Sequence, residues 1–181
     1  ISVTDSCIRD VAVSNIGSSI YLQELPTDLL MNGMKWSSYS QWQNGVQQYE
    51  LQTKNNLNNG YQNLAILDSS TLSYNEDVSN YVGTLSDGLF CYKIQGLENQ
   101  NEYGFKSTSL SNELCINQDP KVYVPNALVI TGINNSWKPV INLIDFENYN
   151  VKIYNRLSQL VFESYDYNEE WDGKVINTNS I

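Results

Sequence analysis

Leu89-Phe90-Cys91-Tyr92-Lys93-Ile94-Gln95-Gly96-Leu97 is followed, across the polar stretch Glu98 to Lys106, by Ser107-Thr108-Ser109-Leu110-Ser111-Asn112-Glu113-Leu114-Cys115-Ile116. Apolar and polar residues alternate through the first run. Phe90, Tyr92 and Ile94 therefore share one face of a strand, and Cys91 lies on the other. Pairing Cys91 with Cys115 in antiparallel register centres a hairpin on Tyr103, beside Gly104, where a turn is expected. Leu110 and Leu114 alternate against Cys115 in the same sense, so both thiols land outward and opposite. A cross-strand disulfide is expected; two unpaired thiols are the other reading. The bridge implies an oxidising location. The third cysteine, Cys7, is left over. Cys7-Ile8 echoes Cys115-Ile116, which suggests pairing with a segment upstream of Ile1.

Outward from this hairpin the same alternation recurs. Further strands are expected over Gly33 to Tyr39, Val46 to Thr53, Tyr61 to Leu67 and Thr71 to Val78. Turn clusters separate them: Gln43-Asn44-Gly45, Asn55 to Gly60, Asp68-Ser69-Ser70 and Ser86-Asp87-Gly88. Leu22 to Met34 is the best helical candidate, but Pro26 and Gly33 break it. Short strands at this spacing argue for an antiparallel β-sandwich. Gln118-Asp119-Pro120 marks a boundary, because proline cannot continue a ladder. A second strand set follows at Val122 to Leu128, Val140 to Ile144, Tyr149 to Tyr154 and Gln159 to Ser164, the last two forming a hairpin around Asn155 to Ser158. The expected fold is all-β, with two consecutive Ig-like or fibronectin III-like antiparallel sandwiches. The domains are 1–117 and 121–181, joined by the linker 118–120.

Composition narrows the function. The chain of 181 residues carries 20 acidic and 10 basic side chains and no histidine, for a net charge of −10. Such a surface repels a phosphate backbone, so nucleic acid is excluded as a partner. Histidine base chemistry and histidine-rich metal ligation are excluded too. Only 17% of residues are charged, and the 24 asparagines help to make the surface polar but largely neutral. The one dense acidic run is Asp166, Glu169, Glu170 and Asp172. It reads as a solvated loop, because a metal site or a glycosidase carboxylate pair needs convergence in a cleft. No catalysis and no cofactor are expected.

Residues 10–117 resemble a fibronectin type III module. Trp36 lies in the second strand, Tyr49 and Leu51 in the third, and Tyr92 in the penultimate one. Core packing is the expected role of Trp36, Tyr49 and Tyr92. Tyr39 and Trp42, near a turn, are the residues that could form an aromatic platform for polysaccharide.

The second domain contains Val122-Tyr123-Val124-Pro125-Asn126-Ala127 and Trp137-Lys138-Pro139. Beyond them come Tyr149-Asn150-Val151-Lys152-Ile153-Tyr154-Asn155-Arg156, Gln159-Leu160-Val161-Phe162-Glu163 and Trp171-Asp172-Gly173. This order resembles the gliding motility-associated C-terminal domain, the type B sorting domain of the Bacteroidota type IX secretion system. The resemblance implies export across the outer membrane to the cell surface or beyond. The implied partners are the type IX translocon and an outer-membrane β-barrel protein, and the implied parent is a large gliding-associated adhesin. The residues it singles out for partner binding are Pro125, Asn126, Lys138, Pro139, Asn155, Arg156, Gln159, Trp171, Asp172 and Gly173. Val124, Ile153, Leu160 and Phe162 are expected in the core.

Three departures from the family pattern matter. The loop Val129 to Ser136 has no carboxylate, so no calcium is expected there. Leu157-Ser158 replaces a Trp-Gly pair, which makes a left-handed turn less comfortable. The family continues past Trp-Asp-Gly with a further strand, absent here, so the chain is expected to be truncated or to carry a disordered tail, leaving the second sandwich with an open edge. A rival reading is an adhesive module that binds polysaccharide through Tyr and Trp.

Overall fold

A computed structural model describes residues 2–13, 18–102, 104, 106–129, 132 and 135–175. The described residues contain fourteen β-strands, one 3-10 turn at Ser79–Tyr81 and no α-helix. Near the N-terminus β1 (Ser2–Thr4) pairs antiparallel with β2 (Asp10–Val13). The first sandwich then opens with β3 (Leu22–Leu25), β4 (Met31–Trp36), β5 (Val46–Lys54), β6 (Gln62–Asp68) and β7 (Ser73–Asp77). It closes with β8 (Leu89–Glu98), β9 (Thr108–Leu110) and β10 (Leu114–Asn117).

One sheet of this sandwich is β3-β4-β7, and the other is β10-β8-β5-β6 with β9 also on β8. All the pairings are antiparallel. This is the arrangement that the resemblance to a fibronectin type III module implies. Pro26 and Gly33 do end any helix in Leu22 to Met34, and the segment becomes two paired strands, with Leu22 opposite Trp36. The strand thus starts earlier than the alternation from Gly33 suggests.

The core lies between the two sheets. Tyr49, Leu51, Phe90, Tyr92 and Ile94 are fully buried, and Trp36 meets Tyr49 edge-on at 5.8 Å between ring centroids. Burial of each large side chain contributes roughly 1.5–3 kcal/mol. On β8 every second residue is buried, as the alternation requires.

Cys91 faces Cys115 in the β8–β10 register, and the two are joined by a disulfide across 24 residues of chain. The partner run is not one strand, however. Leu110 pairs with Gln95 but Leu114 pairs with Tyr92, so one extra residue lies on the β9–β10 side. Ser111 fills the break. Its backbone N–H donates to Ile94 O at 2.9 Å, and its hydroxyl accepts from Ile94 N–H at 3.0 Å. This bulge takes Leu110 out of the core and leaves Ile116 as the buried residue. The expected hairpin centre, Tyr103, lies outside the described residues. Cys7 is an exposed free thiol.

A chain of buried polar side chains crosses this sandwich. The Tyr92 hydroxyl donates to Glu76 at 2.5 Å, the Asn32 amide donates to the Tyr92 oxygen at 2.6 Å, and the Gln118 amide donates to Asn32 Oδ1 at 2.5 Å. Gln118, at the expected linker, is therefore anchored inside the first module.

The C-terminal segment has two small sheets. In one, β11 (Lys121–Tyr123) pairs with β12 (Val140–Asn142); in the other, β13 (Val151–Tyr154) pairs with β14 (Leu160–Ser164). The expected strand from Val122 to Leu128 stops at Tyr123, just ahead of Pro125, which has no N–H to give a ladder. The strand from Val140 stops at Asn142, because Leu143 turns to φ 56°. Ile141, Leu143, Val161 and Phe162 form the buried apolar set. Val124 and Leu160 are exposed, contrary to expectation. Val124 lies past the end of β11, and the bulge at Ile153/Tyr154 shifts the faces of β14 so that the consecutive pair Val161 and Phe162 goes inward. The expected missing strand would follow Gly173, mostly outside the described residues.

Candidate functional site

The Val-Pro-Asn-Ala stretch leaves β11 as irregular chain and needs side-chain support. Trp137 provides it: its indole N–H donates to Pro125 O at 2.7 Å. Trp137 is itself fixed by Trp171 through two backbone hydrogen bonds, each 2.8 Å, that form an isolated antiparallel bridge. The Trp171 indole donates to Lys174 O at 2.7 Å, closing the Trp-Asp-Gly turn. The two tryptophans thus lock three distant sequence segments together.

Two concavities flank this lock. One, of about 410 Å³, is bounded by Tyr123, Pro125, Asn126, Trp137, Lys138 and Glu170, among others. The other, of about 230 Å³, shares Pro125 to Ala127 and Trp137 with the first and reaches Ile153 and Trp171. In the first, Lys138 Nζ stands 3.1 Å from Glu170 Oε1, and the Ser136 hydroxyl donates to the other carboxylate oxygen. The Ser136 hydrogen bond, then Lys138, holds the Glu170 carboxyl below the usual range. The groove therefore has an aromatic and prolyl wall with a charge-compensated pair on one side, which suits binding by shape more than by charge.

The residues singled out by sequence fall into two groups. Pro125, Asn126, Lys138 and Trp171 gather at these concavities. Pro139 is buried next to Lys138, and Asp172 and Gly173 form the turn after Trp171. The Asp172 carboxyl is held below its usual range by the Lys174 side chain, 2.7 Å away, and by the Lys174 N–H. Asn155, Arg156 and Gln159 form a separate site at the β13–β14 turn. Asn155 Oδ1 accepts from the backbone N–H groups of Leu157 (2.8 Å) and Gln159 (3.0 Å), and its amide donates to Gln159 Oε1 at 2.8 Å. Arg156 is exposed at this tip, with no ion pair to a described residue. Ser158 takes φ 59°, the left-handed position where the family pattern has glycine.

Tyr123, Ser136, Trp137 and Glu170 complete the groove and were not singled out. Their signal is weak: Trp137 only adjoins Lys138, and Glu170 is one member of an acidic run. That run does not converge. Glu169 accepts from the Ser164 hydroxyl, Asp166 accepts from the Asn168 N–H, and Glu170 and Asp172 take different lysines. Among the described residues the three side chains whose metal-ligating atoms come together are Cys91, Glu113 and Cys115, two of which are tied in the disulfide. In the first module Trp42 leans on Tyr39 at 4.3 Å and covers Gly96, so both rings are half-buried at the core margin.

The order Val-Pro-Asn-Ala, Trp-Lys-Pro and Trp-Asp-Gly is thus built into one lock. Residues 122–181 match the CHU_C type IX secretion signal domain. That match indicates export across the outer membrane, to the cell surface or the extracellular space. The groove lies wholly within the signal segment. No curated protein matches the chain. Among solved structures the chain is similar to pectate lyase PelI from Erwinia chrysanthemi, crystallised in complex with tetragalacturonic acid. The identity is 15% and the TM-score 0.39, over 54% of this chain and 27% of that one. A likeness that slight carries no argument.

Proposed function

We propose that the chain is the C-terminal secretion-signal region of a large, gliding-associated cell-surface adhesin of a Bacteroidota species. The type IX translocon and an outer-membrane β-barrel partner recognise it, and no catalysis is involved. The observation that carries this reading is the match of residues 122–181 to the secretion signal domain. The groove beside Pro125 and Asn126 is the recognition surface. Its walls are held by hydrogen bonds before any partner arrives, so little ordering entropy is lost on binding. Arg156, exposed on its own turn, supplies a second contact with a planar fork suited to a carboxylate.

A photo-cross-linking residue at Asn126, in the full chain expressed in a type IX host, tests this. The expected product is an adduct to an outer-membrane β-barrel protein, with none from the same probe at exposed Asp68 of the first module. Equal labelling from both positions would contradict the assignment.

A further inference from the structure

The C-terminal segment buries Ile141, Leu143, Val161 and Phe162, and its strands form two two-stranded sheets. Two-stranded sheets are marginal in water unless packed on something else. Its most buried apolar residue, Leu143, is 2% exposed and sits against the first module. A Cβ built on Gly88 would lie 3.0 Å from Leu143 Cβ and 3.1 Å from Leu143 O. Gly88 is thus the residue that lets Leu143 come in. Two hydrogen bonds flank the contact. Gly83 N–H donates to Asn142 Oδ1 at 2.7 Å, and Gln118 N–H donates to Gly88 O at 3.0 Å. The buried Gln118 side chain then fixes the boundary to Asn32.

We propose that the 83–88 turn of the first module is an integral wall of the C-terminal segment's core. The 83–88 turn then opens together with the C-terminal segment, and the signal segment is presented at a fixed angle to the module before it. This concerns folding and holds whether or not the segment is an export signal, so the two readings fail separately.

The sequence contains its own control. Gly83 and Gly88 have nearly the same backbone conformation, φ 82° and 83°, but a Cβ at Gly83 meets nothing within 4 Å. Alanine at either position carries the same left-handed strain; only at Gly88 does it also push on Leu143. Hydrogen exchange of the purified full chain, read on peptides covering 138–164, distinguishes them. Gly88→Ala is expected to speed exchange there at least tenfold more than Gly83→Ala, with β5 still protected in both. Leu143→Ala is expected to speed exchange in 83–90 as well as in 138–164. Equal effects of the two glycine variants on 138–164, or a Leu143→Ala effect confined to 138–164, would overturn the proposal.

Discussion

Trp137 and Trp171 hold each other through reciprocal backbone hydrogen bonds, each 2.8 Å long, although 34 positions separate them in the chain. This bridge joins the segment carrying Lys138 to the Trp-Asp-Gly turn, and the Trp137 indole ties both to Pro125. Removing the Trp137 ring should therefore free the Pro125 segment, while the backbone bridge to Trp171 can remain. Trp137→Ala is expected to cost about 2–3 kcal/mol, below the range for a fully buried aromatic because Trp137 is half-buried. Trp137→Phe keeps most of the bulk but loses the indole donor, and should cost about 1 kcal/mol. Urea unfolding of the two variants checks the order.

The Cys91–Cys115 disulfide ties the two strands that carry the edge of the main sheet. Chain-entropy arguments put its contribution at about 3 kcal/mol for a loop of this length. Cys91→Ser with Cys115→Ser should lower stability by that amount in urea titrations. Thiol labelling of the native chain should find one reactive group, exposed Cys7, and find three after unfolding with reductant.

Glu76 is buried, and burial pushes its carboxyl above the usual range despite the Tyr92 hydrogen bond that pulls it down. A raised folded-state value means that the native state holds the proton more tightly than the unfolded chain. The associated stability is complete below the unfolded value of about 4.3 and is lost as pH rises through the folded value. The stability of the wild-type chain relative to Glu76→Gln should thus be flat below about pH 4.3 and should fall as pH rises above it. Thermal melts of both proteins between pH 4 and 8 show this as a difference curve. Glu163, Glu170 and Asp172 are shifted the other way, so total stability need not follow the Glu76 curve.

Ser158 occupies a left-handed position at the β13–β14 turn. Glycine adopts that conformation without a Cβ penalty. Ser158→Gly is expected to raise stability by about 1 kcal/mol, with no change at the groove. A melt of the variant that falls below the wild type would show that the serine has a role of its own.

The Ser158 turn also shows what could be read in advance. The loss of glycine from the family pattern is visible in the sequence, and its consequence is a backbone angle. The Cys91–Cys115 pairing was legible for the same kind of reason, because strand alternation propagates over a few residues. The bulge at Ser111 was not, since it depends on a serine hydroxyl reaching Ile94 N–H across the sheet. Pro125, Lys138 and Trp171, which line the concavities, belong to motifs that are visible in the order of the sequence. Tyr123 and Glu170 were hidden, because their role comes from the Trp137–Trp171 bridge that brings distant segments together. Gly88 read only as a turn former; that it also admits Leu143 is a tertiary fact.

Residues 122–181 are expected to be what exports the chain. Fusion of the full chain to a periplasmic fluorescent protein in a type IX host tests it, against the same fusion lacking 122–181. Fractionation should find the intact fusion at the cell surface or in the medium, and the shortened one in the periplasm. Retention of both in the periplasm, or export of both, would contradict the account.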